Sequence, residues 1–161
     1  AWIWAALLIL QMILAFFVFG NPKSEAIRAT GWAIWALGTL FAIWPIFALR
    51  TRGRVPKGKS YMETTALVDT GIYALVRHPQ GGTAGILLSL ALALIGQHWL
   101  LAVLAAVGMA LIYADTYKAD AACIAKFGQA YVRYMQRVPR VNFVAGILRL
   151  IVHPRPKDKR V

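Results

Sequence analysis

Residues 80–114 read QGGTAGILLSLALALIGQHWLLAVLAAVGMALIYA, a stretch of 35 positions without Asp, Glu, Lys or Arg, and this stretch decides the fold. One helix of that length would extend about 50 Å, well beyond the roughly 30 Å hydrocarbon core of a bilayer. The polar Gly96-Gln97-His98, followed by the interfacial residue Trp99, offers a turn within the stretch. We therefore predict two short spanning helices joined at this turn.

Two more uncharged stretches precede it, at residues 1–20 and 29–49. Each is close to the roughly 20 residues that a helix needs to cross a bilayer. The first has no basic leader and is long for the apolar part of a signal peptide, so we expect it to be a true span. The sequence thus predicts an all-α, multi-pass membrane protein with about four transmembrane helices in two hairpins.

The composition agrees with a membrane protein. The 161 residues are 60% hydrophobic and 15% charged, whereas soluble domains average roughly 45–50% and 25%. This hydrophobicity excludes a disordered chain, and the single cysteine excludes a disulfide scaffold. The formal net charge of +12 is high, but so apolar a chain is not typical of a nucleic-acid binder. We expect membrane lipids, and no nucleic acid, as partners.

The basic residues are unevenly distributed. Of the 18 Lys and Arg, six lie between Arg50 and Arg77, ten follow Ala114, and only Lys23 and Arg28 lie in the first hairpin loop. Basic residues are enriched on the cytoplasmic side of membrane proteins. We therefore predict that both termini and the middle loop are cytoplasmic, with attraction to anionic lipid as a secondary effect.

The chain after the fourth span is predicted to form an amphipathic helix at the membrane surface. Apolar residues recur at steps of three and four from Ile124 to Val138, and the helix is expected to end before Pro139. Gly128 within this pattern indicates close packing or a bend. Residues 141–152 are apolar and are expected to lie on or re-enter the interface, whereas residues 153–161 are typical of a disordered tail.

Charged residues meet at the cytoplasmic mouth of the second hairpin. Arg77-His78-Pro79 precedes the third span, and Pro79 suits a first helical turn whose free N–H groups bind an anion such as a carboxylate. The alternative is an Arg77 that snorkels and a solvated His78. Asp115 can pair with Lys118 one turn on, whereas Asp120 has no opposite charge at i+4 and is the better candidate to bind a cationic ligand. His98 and His153 lie in a loop and in the tail, so a metal site is not expected.

Several of these residues form an ordered motif set between about residues 65 and 141. Its parts are Gly71-Ile72-Tyr73, Arg77-His78-Pro79, the hydrophobic hairpin, Phe127-Gly128 with Tyr131 and Tyr134, and Val138-Pro139-Arg140. Together they resemble the isoprenylcysteine carboxyl methyltransferase and phospholipid methyltransferase superfamily.

The resemblance implies an integral-membrane methyltransferase that uses S-adenosylmethionine in a cytoplasmic-face pocket capped by the C-terminal segment. Its lipophilic acceptor, of the prenylcysteine carboxylate or phospholipid amine type, would enter from the bilayer. Residues 1–161 would form one membrane domain, with a first hairpin at 1–49, a loop at 50–79 and the second hairpin with its cap at 80–161. The implied cofactor-binding residues are Tyr73, Arg77, His78, Pro79 and Asp120, the catalytic residues His78 and Arg140, and the substrate-binding residues Tyr131 and Arg140.

The sequence departs from the family pattern in three places. Gly81 stands where a tyrosine is usual, Ala119 takes the first position of an acidic pair and leaves only Asp120, and Asn142 replaces an expected proline. The departures at Gly81 and Ala119 indicate a divergent substrate or a lost activity.

Methyl transfer from a sulfonium donor needs little acid–base machinery, because alignment and exclusion of water supply most of the acceleration. Arg77 or the helix start at Pro79 would hold the donor's carboxylate, and Asp120 its hydroxyls or amine. A carboxylate acceptor would need no base and Arg140 would hold it, whereas an amine acceptor would leave His78 as the one plausible base.

Two other classes stay open at this point. Asp120, Cys123 and Lys126-Phe127-Gly128, with the Arg-His-Pro segment, also resemble the C-terminal part of membrane sterol reductases, which bind a nicotinamide cofactor, although the chain is short for their many spans. A non-catalytic small membrane protein is compatible with everything except the ordered motif set.

Overall fold

The computed structural model describes residues 2–21 and 23–152, and within these residues every regular element is helical. The α-helices are α1 (Trp2–Ile13), α2 (Glu25–Arg52), α3 (Ile72–Leu75), α4 (Gly85–Gly96), α5 (Trp99–Phe127), α6 (Gln129–Arg137) and α7 (Phe143–Val152). A π-helical turn, Leu14–Val18, extends α1, and another, Pro79–Ala84, leads into α4. The all-α prediction is confirmed. The predicted disordered tail lies outside the described residues.

Among the described residues, three helical segments are long and apolar enough to cross a membrane: Glu25–Arg52, Pro79–Gly96 and Trp99–Phe127. The first predicted span forms a shorter apolar helix, Ile3–Val18. The prediction of a multi-pass helical membrane protein is confirmed, and the third span begins at Pro79 as expected from its fixed φ.

The fourth predicted span is part of a longer helix. We expected the span to end near Ala114 and the chain to stay helical beyond it, and α5 continues without a break to Phe127. Residues 115–127 are rich in alanine, the strongest helix former, so the charged side chains that enter there do not interrupt the helix. The first break is Gly128, whose φ of +57° few other residues adopt.

Helix α4 lies at the centre of the bundle, with α2 packed on one side and α1 and α5 on the other. Gly31 and Gly38 of α2 are buried against it: a Cβ at Gly31 would lie 2.8 Å from Ile95 Cγ1, and one at Gly38 would lie 3.1 Å from Leu88 Cγ. Small residues let two helices approach closely where lipid offers no hydrophobic driving force. Gly31 and Gly38 therefore form a close-packing face of α2 against α4.

A buried glutamine joins α1 to the second hairpin. Gln11 Nε2 donates to the carbonyl oxygens of Ser89, at 2.8 Å, and Leu101, at 3.1 Å. An amide buried in an apolar environment is costly unless its hydrogen bonds are made. This contact therefore fixes the position of α1 against both α4 and α5.

The two interhelical turns lie at the same end of the bundle. Gln97 adopts φ +47° and ends α4, so the predicted turn at residues 96–98 is confirmed. Its side chain donates to the Ser24 carbonyl oxygen at 2.7 Å and accepts from the Ser24 amide at 2.9 Å. The connections between α1 and α2 and between α4 and α5 are thus joined, and the Arg77–His78 segment lies at the opposite end.

The C-terminal helices fold back onto that opposite end. The chain bends at Gly128 and continues as α6, which ends before Pro139, so the predicted bend and amphipathic helix are both confirmed. Its buried residues Tyr131 and Tyr134 pack with Val138. Residues 143–152 form α7, which packs on α3 while its opposite face exposes apolar side chains; its placement at the membrane surface stays a prediction.

Candidate functional site

The site forms where α4 begins, α5 ends and the C-terminal segment crosses them. The amides of Arg77 and His78 donate to the carbonyl oxygens of Pro139 and Arg140, each at 3.0 Å. Thr83 Oγ1 donates to the Val141 carbonyl oxygen at 2.8 Å. These three hydrogen bonds fasten residues 139–141 across the start of the third span and bring Arg140 to the end of α5.

Asp120 is the centre of the site. Its side chain is only 5% exposed, and its Oδ2 lies 3.0 Å from both Arg77 Nη1 and Arg140 Nη2. Its Oδ1 accepts a hydrogen bond from the Tyr131 hydroxyl at 2.7 Å and lies 2.7 Å from His78 Nε2. The structure thus brings together five of the residues singled out from the sequence.

These contacts give Asp120 partners that its own helix does not offer. We expected the absence of an opposite charge at i+4 to leave its carboxylate for a cationic ligand, but both of its oxygens contact side chains of the protein. The prediction that Asp120 also contacts a cofactor stays a prediction. In this structure it holds Arg77, His78, Tyr131 and Arg140 in fixed positions.

The cluster carries an excess of positive charge and unused donors. Two guanidinium groups face one carboxylate, and Arg77 Nε and Arg140 Nη1 are buried without an acceptor among the residues that the structure describes. A buried N–H group without a partner costs roughly 1–3 kcal/mol. An anionic ligand group next to these donors would remove that cost.

The protonation of His78 follows from its surroundings. Burial lowers the pKa of His78 below its usual value of 6.5, and the hydrogen bond to Asp120 opposes this shift without cancelling it. The imidazole is therefore neutral at pH 7. Because a carboxylate only accepts hydrogen bonds, the ring proton lies on Nε2 and faces Asp120, and the lone pair lies on Nδ1. Burial, and then the bond to Asp120, raise the pKa of Tyr131, which stays a donor.

A first cavity of about 290 Å³ adjoins the cluster. Five residues singled out from the sequence line it: Tyr73, Arg77, His78, Pro79 and Tyr131. Burial raises the pKa of Tyr73, so that its hydroxyl also stays protonated. Asp120 and Arg140 do not line this cavity but support it from behind. Its size is near the lower end of small-molecule sites.

A second cavity, of about 450 Å³, lies beside the first. Trp4 of α1 and Ile112, Asp115, Thr116 and Lys118 of α5 contribute to its lining. In the part of the chain that the structure describes, four residues line both cavities: Met62, His78, Gly81 and Ala119. His78 is therefore the one residue of the Asp120 cluster that faces both cavities.

Sequence reasoning missed several contributors. The guanidinium of Arg140 lies 3.6 Å from the ring centroid of Tyr117, a cation–π contact, and the Tyr134 hydroxyl donates to the Tyr73 carbonyl oxygen at 2.7 Å. Tyr117 lies three residues before Asp120, a spacing that places both side chains on one face of the helix. This spacing could have identified Tyr117 as a neighbour of the site. Met62, in an irregular loop, offered none.

The smaller ion pair on α5 is as expected. Asp115 Oδ1 lies 3.5 Å from Lys118 Nζ, and the side chain of Lys118 is 84% exposed while that of Asp115 is 24% exposed. This pair belongs to the second cavity rather than to the Asp120 cluster.

A bundle of helices long and apolar enough to cross a membrane, with two adjoining cavities at one end, defines a multi-pass helical membrane protein. The family model for phospholipid methyltransferases matches residues 26–118, which is more than half of the chain. The chain belongs to the phospholipid methyltransferase family, within the membrane superfamily that also includes the isoprenylcysteine carboxyl methyltransferases, so the resemblance is confirmed. It is an integral-membrane methyltransferase that acts on a lipid-type substrate.

No curated protein and no solved structure matches the chain significantly. The matched region extends from α2 to Lys118 and ends before Asp120, Tyr131 and Arg140. The roles of these three residues are therefore argued from their geometry alone.

Proposed function

We propose that this protein transfers a methyl group from S-adenosylmethionine to the amine head of a membrane lipid at the cytoplasmic face. The observation that carries the proposal is His78, which is held by Asp120 and lines both cavities. Methyltransferases of this family generally use S-adenosylmethionine. The first cavity is the proposed donor site and the second cavity the proposed acceptor site.

The lining of the first cavity fits the chemistry of the donor. Arg77 lines it and has an unused Nε–H donor, which suits the carboxylate of the donor. Phe127 and three tyrosines also line it, Tyr73, Tyr131 and Tyr134. Aromatic faces attract a cation such as a sulfonium. Asp120 is assigned as a positioning residue, since it keeps Arg77, His78 and Arg140 in place.

The donor, when bound, supplies a methyl group on a positively charged sulfur, and the lone pair of the acceptor takes that methyl as the carbon–sulfur bond breaks. An ammonium head must first lose a proton to have a free lone pair. Neutral His78 accepts this proton on Nδ1, while its Nε2–H stays hydrogen-bonded to Asp120. The nitrogen loses one proton and gains one methyl group, so it carries a single positive charge both before and after the transfer.

The charges around the second cavity fit a zwitterionic lipid head. Asp115 suits its ammonium, Lys118 suits its phosphate, and Trp4 and Ile112 offer an apolar surface to the chains. A carboxylate acceptor of the prenylcysteine type is the second candidate, favoured by the unused Nη1 donor of Arg140. The guanidinium of Arg140 is otherwise occupied by Asp120 and Tyr117, which favours the amine.

The cytoplasmic placement rests on the distribution of basic residues. The segment between α2 and α4 and the described residues after α5, 128–152, together carry eight Lys and Arg, and both segments adjoin the end of the bundle that holds the cavities. The opposite end, at Ser24 and Gln97, adjoins only Lys23 and Arg28. The positive-inside rule therefore supports cytoplasmic termini and a cytoplasmic site.

The test is ligand stabilisation of the purified protein in detergent. S-adenosylmethionine or S-adenosylhomocysteine, at 100 times its dissociation constant, is expected to stabilise the folded state by roughly 2.7 kcal/mol and raise the melting temperature. Nicotinamide cofactors at the same concentration are expected to leave it unchanged. A shift with a nicotinamide cofactor and none with either sulfur compound would favour a reductase and refute the proposal.

A further inference from the structure

We infer that the outward face of α7 is covered by the acyl chains of the bilayer leaflet at the end of the bundle that holds the cavities, and that this contact keeps a wall of the first cavity in place. The inference has two parts: a lipid-docking surface on α7, and a connection from that surface through α3 to Tyr73. The second part rests on the proposed function, since it takes the first cavity as the donor site.

Helix α7 has its large apolar side chains turned away from the protein. The only charged residue among its ten is Arg149, whose Nη2 donates to the Ala74 carbonyl oxygen of α3. A helix at the surface of a soluble domain has the reverse arrangement, with its apolar stripe against the core. The outward stripe of α7 consists of five side chains that recur at steps of three and four and are 41–70% exposed: Val144, Ile147, Leu148, Ile151 and Val152. This stripe needs an apolar partner.

The depth of α7 along the bundle identifies that partner as lipid. The ring centroids of Phe143, the first residue of α7, and Phe41 of α2 are 5.3 Å apart. Phe41 lies 17 residues after Ser24, the N-cap of α2 at the opposite end of the bundle, which corresponds to about 25 Å along the helix. A hydrocarbon core is about 30 Å thick. The start of α7 therefore lies at the level of the acyl chains, close to the membrane surface on the side of the cavities.

The length of α7 and the charges that follow it suit a helix that lies along a membrane surface. Ten residues extend about 15 Å, which is too short to cross the core. Basic residues beside an apolar helix favour an anionic lipid surface, and the sequence directly after α7 contains Arg155, Lys157, Lys159 and Arg160. A lipid leaflet accounts for the stripe, the depth and the charge together, whereas a second copy of the chain would account for the stripe alone.

The inward face of α7 contacts the backbone of α3. Gly146 is buried, and a Cβ there would overlap the Leu75 carbonyl oxygen, so the two helices touch without an intervening side chain. The hydrogen bond from Arg149 goes to the neighbouring carbonyl oxygen, that of Ala74. Two consecutive residues of α3 are thus held by one face of α7.

Helix α3 in turn places a wall of the first cavity. It has only four residues, too few for a helix that is stable by itself. Its second residue, Tyr73, lines the first cavity, and the Tyr73 carbonyl oxygen accepts a hydrogen bond from the Tyr134 hydroxyl at 2.7 Å. The position of Tyr73 therefore depends on α6 and, through Ala74 and Leu75, on α7. Loss of the lipid contact would loosen this wall and weaken donor binding.

The docking surface is tested by fluorescence quenching in vesicles of phosphatidylcholine and phosphatidylglycerol. The full chain, with its single cysteine removed by Cys123→Ala, receives one new cysteine that carries a fluorophore. The new cysteine is Leu148→Cys on the stripe or, as the control, Glu63→Cys in the loop after α2. We expect lipids brominated on their acyl chains to quench the label at Leu148→Cys at least threefold more strongly, because α7 lies among these chains. Quenching no stronger than at Glu63→Cys would overturn the inference and favour a protein as the occupant.

The connection to the donor site is tested by calorimetric titration of S-adenosylhomocysteine in the same vesicles. Ile151→Glu places a charge on the stripe, and Gly146→Ala separates α7 from α3 without changing the stripe. We expect each to lower the affinity about tenfold, which corresponds to about 1.4 kcal/mol. Two controls should bind as the wild type does: Ile151→Leu keeps the stripe apolar, and Gln136→Glu adds the same charge at an exposed position of α6.

Two results of the titration would overturn the connection. One is wild-type affinity in both Ile151→Glu and Gly146→Ala. The other is an equal loss in Gln136→Glu, because the added charge alone would then explain the effect. Failure of the proposed function is distinguishable, since the wild type would then bind no S-adenosylhomocysteine, whereas quenching at Leu148→Cys would still decide the docking surface.

Discussion

Replacement of Asp120 by asparagine is the perturbation that the structure constrains most tightly. The change keeps the size of the side chain but removes the negative charge that faces two guanidinium groups, each 3.0 Å from Oδ2. The side chains of Arg77 and Arg140 are only 8% and 16% exposed, so solvent cannot replace the lost counter-charge. Removal of one partner from a buried ion pair costs about 3–5 kcal/mol. We expect Asp120→Asn to lower the free energy of unfolding by this amount.

The assay is denaturant unfolding of the purified protein in mixed micelles, followed by helical circular dichroism with and without S-adenosylhomocysteine. The variant should also bind this ligand more weakly, because Arg77 and His78 lose the group that positions them. Glu63→Gln is the matched control: its partner Lys59 is 60% exposed, and an exposed pair contributes at most about 1 kcal/mol. If Asp120→Asn is as stable as Glu63→Gln and binds the ligand as tightly as the wild type, the role assigned to Asp120 is wrong.

Three further predictions follow from the same contacts. Tyr131→Phe removes the hydroxyl that donates to Asp120 at 2.7 Å, and should cost about 1.5–3 kcal/mol in the same unfolding assay; a loss under 0.5 kcal/mol would contradict the contact. The pKa of His78 is lowered in the folded protein, so the unfolded chain binds a proton at higher pH than the folded one. The free energy of unfolding should therefore fall as the pH falls below about 6.5, and His78→Gln should flatten this pH dependence. An unchanged pH dependence in that variant would assign the effect to another group. Gln11→Leu should lower stability by about 1 kcal/mol while methyl transfer persists, because Gln11 contacts only the helix bundle; loss of transfer at full stability would tie it to the site.

Much of the fold was predictable from local patterns. Uncharged stretches about 20 residues long identify membrane spans without reference to the rest of the chain. The uncharged stretch at residues 80–114 is too long for one span, and its length therefore predicted the turn at residues 96–98. The end of α5 was not predictable in this way. Charges such as Asp115 and Lys118 indicate the end of a membrane span but not the end of a helix, and α5 continues to Phe127.

The site was predictable in its members but not in its contacts. The hairpin brings the start of α4 close to the end of α5, so Arg77 and His78 were expected near Asp120. The partners of Asp120 come from residues 77–78 and 131–140, and contacts between separate segments leave no periodic signal in a sequence. Reading Asp120 against its own helix alone therefore gave it no partner, whereas the folded chain gives it four.

The loop over the first cavity was the least predictable part. Residues 53–71 have no regular hydrophobic period, yet Met62, Thr64, Leu67 and Val68 all line the cavity. The loop is held by backbone contacts instead, since the amides of Thr65 and Ala66 both donate to the Gly53 carbonyl oxygen. Such turn contacts depend on the final path of the chain and not on residue type.

The central claim is that lipid methylation by this protein depends on S-adenosylmethionine and on the cluster around Asp120. The most direct measurement is transfer of an isotope-labelled methyl group from S-adenosylmethionine to lipid, by purified protein in vesicles of phosphatidylethanolamine and its methylated forms. The wild type should label the lipid, and Arg77→Ala should reduce the rate at least 100-fold while the protein still unfolds cooperatively. A folded wild type that labels no lipid, or an Arg77→Ala variant with wild-type rate, would contradict the claim.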